Sequence, residues 1–179
     1  MRGIEERAEA FLAGVPDYIW DGVSLPVPVE DIADSHVGLL VRDVDDLTSA
    51  PGAPALSAGQ ALSGLLLPDR GEIWVNAHEA KEWPPRRRFT IAHELGHWQL
   101  HRHDGGGVYC RSSVVEPDEK ASGPIAEPEE EANAFAAAVL MPAGLIREQY
   151  KACDHDFARL CRRFGASGAA MGRRLHAVV

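Results

Sequence analysis

The residues with the clearest potential for chemistry are four histidines within eleven positions, in the stretch RRRFTIAHELGHWQLHRH from residues 86 to 103. His93 and His97 are four residues apart, so on a helix they lie on one face, one turn apart. Two neutral imidazole nitrogens presented in this way suit a divalent metal such as zinc. Glu94 is rotated by about 100° from His93. Its carboxylate is therefore expected beside a metal rather than on it, where it could accept a proton from water, and the HExxH spacing indicates a hydrolytic metal centre.

The residues around the motif favour a buried site over an exposed, charged helix. Phe89, Ile91 and Leu95 make this segment apolar over much of its circumference, which is typical of a helix that is buried in the folded protein. Buried His and Glu side chains need partners, and a metal would be one. A carbonyl attacked at such a site develops negative charge and needs a hydrogen-bond donor. Four side chains are candidates for this donor, with the first favoured: His101, His103, Tyr109 and Tyr150.

A third metal ligand has to come from outside the pentapeptide, and two candidates compete. His103 follows His93 by ten residues, which is the spacing of the metzincin form of the motif. That form has a glycine where this chain has Leu100, so the residue that releases the chain from the helix is missing. The other candidate is Glu129, in the acidic first turn of a second apolar segment, EEEANAFAAAVLMP, at residues 129–142. The missing glycine favours Glu129, but the spacing alone leaves both open.

The second segment has the composition of a helix that can pack closely against the first. Glu129, Ala132, Asn133 and Ala136 fall on one helical stripe, and the alanines are small enough for a close approach. Asn133, one turn after Glu129, could then hold a ligating histidine ring from behind the metal. Glu131 lies about 200° round the helix from Glu129. It is predicted to be a solvated residue of the first turn, where carboxylates favour the helix dipole.

The rest of the pattern predicts an α+β fold. Two apolar runs flank PDRG in LSGLLLPDRGEIWVNAH, which predicts a β-hairpin, and VGLLVRDV predicts another strand. Pro84 and Pro85 are predicted to break the chain before a helix that runs from about Arg88 to His101 and ends at the Gly-rich residues 104–107. Residues 108–128 are predicted to be loop. Further helices are predicted at 3–13, at 28–35, from about 129, and in the tail, with Gly165 as a stop and Ser167 as an N-cap.

Composition and charge exclude several classes of protein. The net charge of −9 argues against a general affinity for nucleic acid. No segment approaches the ~20 apolar residues of a membrane span, and the first residues carry acids where a signal peptide needs an apolar core. Three widely spaced cysteines without a CxxC pair predict no disulfide framework. We therefore expect a cytoplasmic protein with no membrane partner.

The tail from residue 143 differs from the rest of the chain in its charge. It carries seven Lys or Arg against three Asp or Glu. Its rhythm is that of a helix-turn-helix, so a contact with DNA is one interpretation. A helical hairpin that packs on the core with its arginines outward is the prediction we favour, because the overall charge is unfavourable for DNA.

Together the segments RRRFTIAHELGHWQLH and EEEANAFAAAVLMP resemble the ImmA/IrrE family of zinc-dependent metallopeptidases, and weaker similarity extends over most of residues 26–176. The resemblance implies a zincin-like core with a small twisted antiparallel sheet, an HExxH helix and a glutamate helix, followed by a helical tail. It implies zinc on His93, His97 and Glu129, with Glu94 as the base. The corresponding division is an N-terminal extension at 1–25, a core at 26–142 and a C-terminal subdomain at 143–179.

The resemblance also implies a function, which is cleavage of a separate protein, in particular a helix-turn-helix transcriptional repressor. The strand EIWVN before the motif is predicted to pair with an extended substrate. The alternative is a metal-binding sensor or partner-binding module without turnover. Glu94 favours catalysis, because a purely structural site closes its fourth ligand position and needs no base.

Overall fold

The computed structural model describes residues 2–56, 60–103, 109–114 and 127–179, with the backbone alone at Arg2, Gln60 and 109–114. The predicted Gly-rich stop at 104–107 and most of the predicted loop at 108–128 lie outside these residues. In chain order the elements are α1 (Arg2–Ala13), α2 (Val29–Asp31, continued by a π-helical turn at Ile32–Val37), β1 (Leu40–Val44), β2 (Gln60–Leu67), β3 (Glu72–Asn76), α3 (Ala77–Glu82), α4 (Pro84–His101), β4 (Tyr109–Val114), α5 (Glu127–Leu140), α6 (Ala143–Ala152), α7 (Phe157–Phe164) and α8 (Gly168–Val178). The predicted α+β class is confirmed.

The four strands form one mixed sheet in the order β1-β3-β2-β4. β2 and β3 are the predicted hairpin around PDRG, and β4 pairs antiparallel with the other edge of β2. β1, however, pairs parallel with β3, so the prediction of an antiparallel sheet was wrong at this edge. A tight turn fixes the direction of β3 relative to β2, whereas nothing local fixes the direction in which β1 joins them.

Two predictions about individual strands were also wrong. β3, the EIWVN strand, has β1 on one side and β2 on the other, so both of its backbone edges are occupied and it cannot add a substrate strand. Residues 109–114 form a strand where a loop was predicted. YCRSSV has little of the apolar alternation that marks a half-buried strand, and β4 joins the sheet through backbone pairing with β2.

α4 begins at Pro84, four residues before its predicted start. Proline fits the first turn of a helix because its missing N–H would have no intrahelical partner there. The helix crosses the sheet and buries its apolar side against it, and α5 packs beside it. The main core lies between these layers and contains fully buried side chains from both helices and from the hairpin: Ile91, Leu95, Ala136, Leu66 and Ile73.

α1 covers a different face of α5. Ile4, Ala8 and Leu12 pack with Phe135 and Val139 in a second apolar cluster. Hydrogen bonds also join α1 to α8, since both Glu5 carboxylate oxygens accept from the Arg174 guanidinium, at 2.5 and 2.8 Å. The Nε atom of Arg174 donates to the Met141 carbonyl at the end of α5, at 2.8 Å. The first and last helices are thus tied to the end of α5, and the division at residues 25 and 142 stays a prediction.

The tail folds into three helices, α6–α8, where two or three short helices were predicted. Gly165 ends α7 with φ of 59°, and the Ser167 hydroxyl accepts from the Ala170 N–H at the start of α8, at 3.2 Å. Leu160, Phe164 and Met171 are completely buried against the core. Five arginines of the tail are exposed: Arg147, Arg159, Arg162, Arg163 and Arg173. Among the described residues, no helix is both long enough and apolar enough to cross a membrane.

Candidate metal centre

α4 carries the HExxH residues into the interior. His93, Glu94 and His97 are 1%, 0% and 0% exposed. The helix can bury them because Ile91 and Leu95 anchor its apolar side in the core. Burial of three ionisable side chains in two turns is unfavourable unless each finds a partner, so the surroundings of these residues decide what the site can do.

A close approach of two helices brings the partners in. At Gly96 a Cβ atom would lie only 3.0 Å from both the Cα and the carbonyl oxygen of Ala132 in α5. Glycine on α4 and alanine on α5 therefore let the two backbones come closer than larger side chains would allow. Glu129 lies one turn before Ala132 and Asn133, so the contact sets the distance from its carboxylate to the histidines.

Three ligand atoms converge in the gap between the helices. Glu129 Oε2 is 3.2 Å from His93 Nε2, and Glu129 Oε1 is 3.0 Å from His97 Nε2. The two Nε2 atoms are 3.0 Å apart. One ligand atom from each residue lies within 4.8 Å of the others, and these three form the one such cluster found among the described residues.

The hydrogen bond behind His93 decides which of its nitrogens is free for a ligand. The Asn133 amide oxygen, 3.1 Å from His93 Nδ1, can only accept, so Nδ1 carries the proton. In the neutral ring Nε2 then has a lone pair that points at Glu129 and His97. A lone pair, a second imidazole nitrogen and a carboxylate that face one another call for a positive charge between them, which either protons on the imidazoles or a metal ion can supply.

The spacing of the donor set also fits a metal. Tetrahedral zinc with ligands at roughly 2.0–2.1 Å separates neighbouring ligand atoms by about 3.3 Å. The two Nε2 atoms are 3.0 Å apart, and each lies 3.0–3.2 Å from a different oxygen of the Glu129 carboxylate, so these contacts are close to that value. The set of two imidazoles and one carboxylate is the one used by hydrolytic zinc enzymes that keep a fourth position open.

The same contacts keep Glu129 ionised. Burial alone would raise the pKa of its carboxyl group, but when the two imidazoles are protonated, hydrogen bonds from His93 and His97 and their positive charges outweigh burial and lower the pKa to about 2. About one third of the side chain is exposed, so the cluster is open to solvent on the Glu129 side. An ionised carboxylate at an accessible edge is suited to ligation.

Glu94 is rotated from the two histidines on α4, and its carboxylate approaches β2 of the sheet. Its Oε1 atom would be only 3.1 Å from a Cβ at Gly64 of β2, and the methyl group of Thr90 would collide with that Cβ. Gly64 follows an irregularity in the pairing of β2 with β4, between Leu62 and Gly64. The absent side chain at Gly64 therefore makes the space for the Glu94 carboxylate, and bulges of this kind are common next to active sites.

The role of Gly64 was not predicted from the sequence, although the residue carried a signal. An isolated glycine inside a strand pattern indicates a bulge or a close approach by another group. Gly96 carried a weaker signal, since a glycine inside a helix costs stability unless packing requires it. Both glycines remove side chains where a residue of the site has to fit.

The other candidate residues lie apart from the cluster. His101 is buried, with Nε2 3.5 Å from Glu131 Oε2 and its ring 5.7 Å from that of His97. His103 is exposed, and its Nε2 accepts from Arg102 Nε at 3.1 Å. Tyr150 packs its ring against His155, and the side chain of Tyr109 lies outside the described residues. No oxyanion donor is assigned by these contacts, and His101 stays a prediction.

The fold also resembles that of a solved structure, and the sequence matches a known family. A Mycobacterium tuberculosis transcriptional regulator shares the fold with a TM-score of 0.56 and 19% sequence identity, over 98% of this chain and 47% of that one. The chain thus spans about half the length of that regulator, and no curated protein matches its sequence. Residues 55–176, well over half of the chain, match the Peptidase M78 family, described as the IrrE N-terminal-like domain. The chain belongs to this peptidase family, as the resemblance to ImmA/IrrE proteins had predicted.

Proposed function

We propose that the protein is a zinc-dependent metallo-endopeptidase that hydrolyses a peptide bond in a protein substrate. The observation that carries the proposal is the convergence of His93 Nε2, His97 Nε2 and a Glu129 carboxylate oxygen, next to the buried Glu94. Membership of a peptidase family supports it. A bound zinc ion would polarise the scissile carbonyl and lower the pKa of water to about 7.

Each residue of the site has a distinct task in this proposal. His93, His97 and Glu129 would hold the metal. Asn133 keeps the proton on Nδ1 of His93, so that Nε2 faces the cluster. Glu94 takes a proton from the attacking water on a carboxylate oxygen and delivers it to the leaving amine. The space at Gly64 keeps that carboxylate beside α4 rather than among the ligands.

The substrate that we propose is a DNA-binding repressor in the cytoplasm. The ImmA/IrrE resemblance supports this class, and the similar M. tuberculosis structure is a transcriptional regulator by its name. An extended substrate segment would pair with an edge of the sheet, and β3 is excluded because it is an interior strand. β4 is an edge strand and pairs with β2, the strand that carries Gly64. We therefore propose β4, rather than β3, as the strand that pairs with the substrate.

The test separates binding of the metal from catalysis. Zinc-loaded wild-type protein and Glu94→Gln are incubated with the repressor encoded beside the gene, and cleavage and bound zinc are measured on the same samples. We expect Glu94→Gln to retain one zinc ion per chain and to lose at least about 10²-fold in cleavage rate, because the proton acceptor is gone. Equal cleavage by both proteins would refute Glu94 as the base.

The alternative, a metal sensor without turnover, predicts a different result. In that case the wild type binds zinc tightly and leaves the repressor intact under every condition that keeps it folded. A matched control is Glu130→Gln, which removes an exposed carboxylate from the same turn of α5 and none from the cluster. It should cleave as the wild type does if the protease proposal is right.

A further inference from the structure

A second concave surface lies at the opposite end of α4 from the C-terminal histidines. It is a groove of about 420 Å³ between the start of α4, the end of α5 and the α7–α8 turn. The partly buried Phe89 and Ala170 supply apolar surface, Leu140 and Met141 line the groove but are almost completely buried, and Trp83 is half exposed. The volume is in the range of about 300–1,000 Å³ that is typical of binding pockets. Apolar side chains of another molecule would fit it.

The charge of this groove is opposite to that of the protein. Its described lining includes Arg86 and Arg173 but no Asp or Glu, although the chain as a whole has 27 acidic and 18 basic residues. Arg86 forms an ion pair with Glu79, with 2.9 Å between Arg86 Nε and Glu79 Oε2. Arg173 is exposed and has no hydrogen bond or ion pair to a described residue. The groove therefore combines an apolar lining with one positive side chain, that of Arg173, that has no ion-pair partner among the described residues.

The residue types favour a protein partner. Trp and Arg, which form the edge, are the side chains that most often dominate the binding energy of protein interfaces. A groove between helices accepts the apolar face of a helix or a short segment. Positive rims attract carboxylates, which increases the association rate and the specificity.

We propose that this groove binds a segment of a protein partner in which one or two large apolar side chains are flanked by carboxylates. Phe89 precedes His93 by four residues, which is about 6 Å along α4, so a docked segment lies one helical turn from the metal cluster. The inference does not rest on the proposed function, because binding is measured without cleavage.

The probe is a displayed library of random 12-residue peptides. It is selected on the full-length Glu94→Gln protein, to prevent cleavage, and counter-selected on the same protein carrying Trp83→Ala and Arg173→Glu. The expected survivors combine Phe, Leu, Met or Trp with at least two Asp or Glu. Fluorescence anisotropy of labelled survivors should then show at least tenfold weaker binding to each single groove variant, with weaker binding at higher salt.

Two matched variants control for exposure and charge. Tyr18→Ala removes another exposed aromatic residue, and Lys151→Glu changes the net charge as Arg173→Glu does, both outside the groove. Both should bind the peptides as well as the unmodified groove does. Because Arg173 is exposed, Arg173→Glu should keep the fold even if Trp83→Ala does not, and circular dichroism checks this.

Three outcomes would overturn the proposal. The first is a selection in which no peptide distinguishes the groove variants, and the second is a set of survivors that lack carboxylates or ignore Arg173→Glu. The third is a wild-type dimer in sedimentation velocity that Trp83→Ala dissociates, which would make a second copy of this chain the occupant.

Discussion

Gly96→Ala is the substitution that most directly tests how the two site helices are held together. The added methyl group would lie 3.0 Å from two backbone atoms of Ala132, where an ordinary contact is 3.4–4 Å. Both atoms belong to the backbone, so no rotamer change can relieve the overlap. α5 has to move by a few tenths of an ångström, and it carries Glu129 one turn away.

Two opposing terms set the effect on stability. Ala in place of Gly in a helix interior stabilises by up to about 1 kcal/mol. Overpacking at a close contact costs about 1–3 kcal/mol. We therefore expect the free energy of unfolding of Gly96→Ala to fall by about 0–2 kcal/mol, and the zinc affinity to fall by about tenfold or more, since small displacements of supporting groups have effects of that size.

The assay is a competition titration of zinc against a chromophoric chelator, with urea unfolding measured on the metal-free protein. Gly172→Ala in α8 is the control, because a Cβ there has no atom within 4 Å. It should gain up to about 1 kcal/mol and bind zinc as the wild type does. If Gly96→Ala binds zinc with wild-type affinity and unfolds at the same or a higher urea concentration, the close helix approach does not position the site.

Three further predictions concern the groups that support the site and the fold. Asn133→Ala should weaken zinc binding by about 10–100-fold, whereas Asn133→Asp, which keeps a hydrogen-bond acceptor for His93, should lose much less zinc affinity. Both affinities are measured by the same competition with the chromophoric chelator. The hydrogen bond from Arg87 lowers the pKa of Glu30, so this pair contributes stability above the unfolded-state pKa, and the contribution is lost as pH falls through the lowered folded-state pKa. Glu30→Gln should therefore lower the free energy of unfolding by less than about 1 kcal/mol at pH 7, since Glu30 is about half exposed. In urea titrations below the lowered pKa of Glu30, the variant and the wild type should unfold with the same free energy. A difference that persists at such low pH would contradict the pairing. Glu5→Ala should destabilise by about 2–4 kcal/mol, because it leaves the buried charge of Arg174 unpaired, whereas Glu9→Ala on the exposed side of the same helix should change the urea midpoint little.

Much of the site was predictable from the sequence because the decisive information was local. HExxH at i,i+4 spacing places two histidines on one helical face whatever the rest of the fold does. The stripe of Glu129 and Asn133 on the second helix follows from the same periodicity. That the two helices meet was predictable only from the small residues on α5, and the sequence left His103 as a competing ligand until the placement of both residues was known.

Features that depend on long-range arrangement were missed. The parallel pairing of β1 with β3 involves a connection of many residues between β1 and the hairpin, and no turn specifies its direction. β4 has a polar composition and joins the sheet through its backbone. The role of Gly64 was not predicted, because it depends on Glu94 and Thr90, which lie far along the chain and occupy the space beside it.

The most direct test of the account is the amount of metal bound by two glutamate variants of α5. Wild type, Glu129→Ala and Glu131→Ala are purified, loaded with zinc, dialysed, and analysed for zinc per chain by mass spectrometry. The account predicts about one ion in the wild type and in Glu131→Ala, and almost none in Glu129→Ala. If Glu129→Ala retains the ion as tightly as the wild type does, the cluster of His93, His97 and Glu129 is not the metal centre.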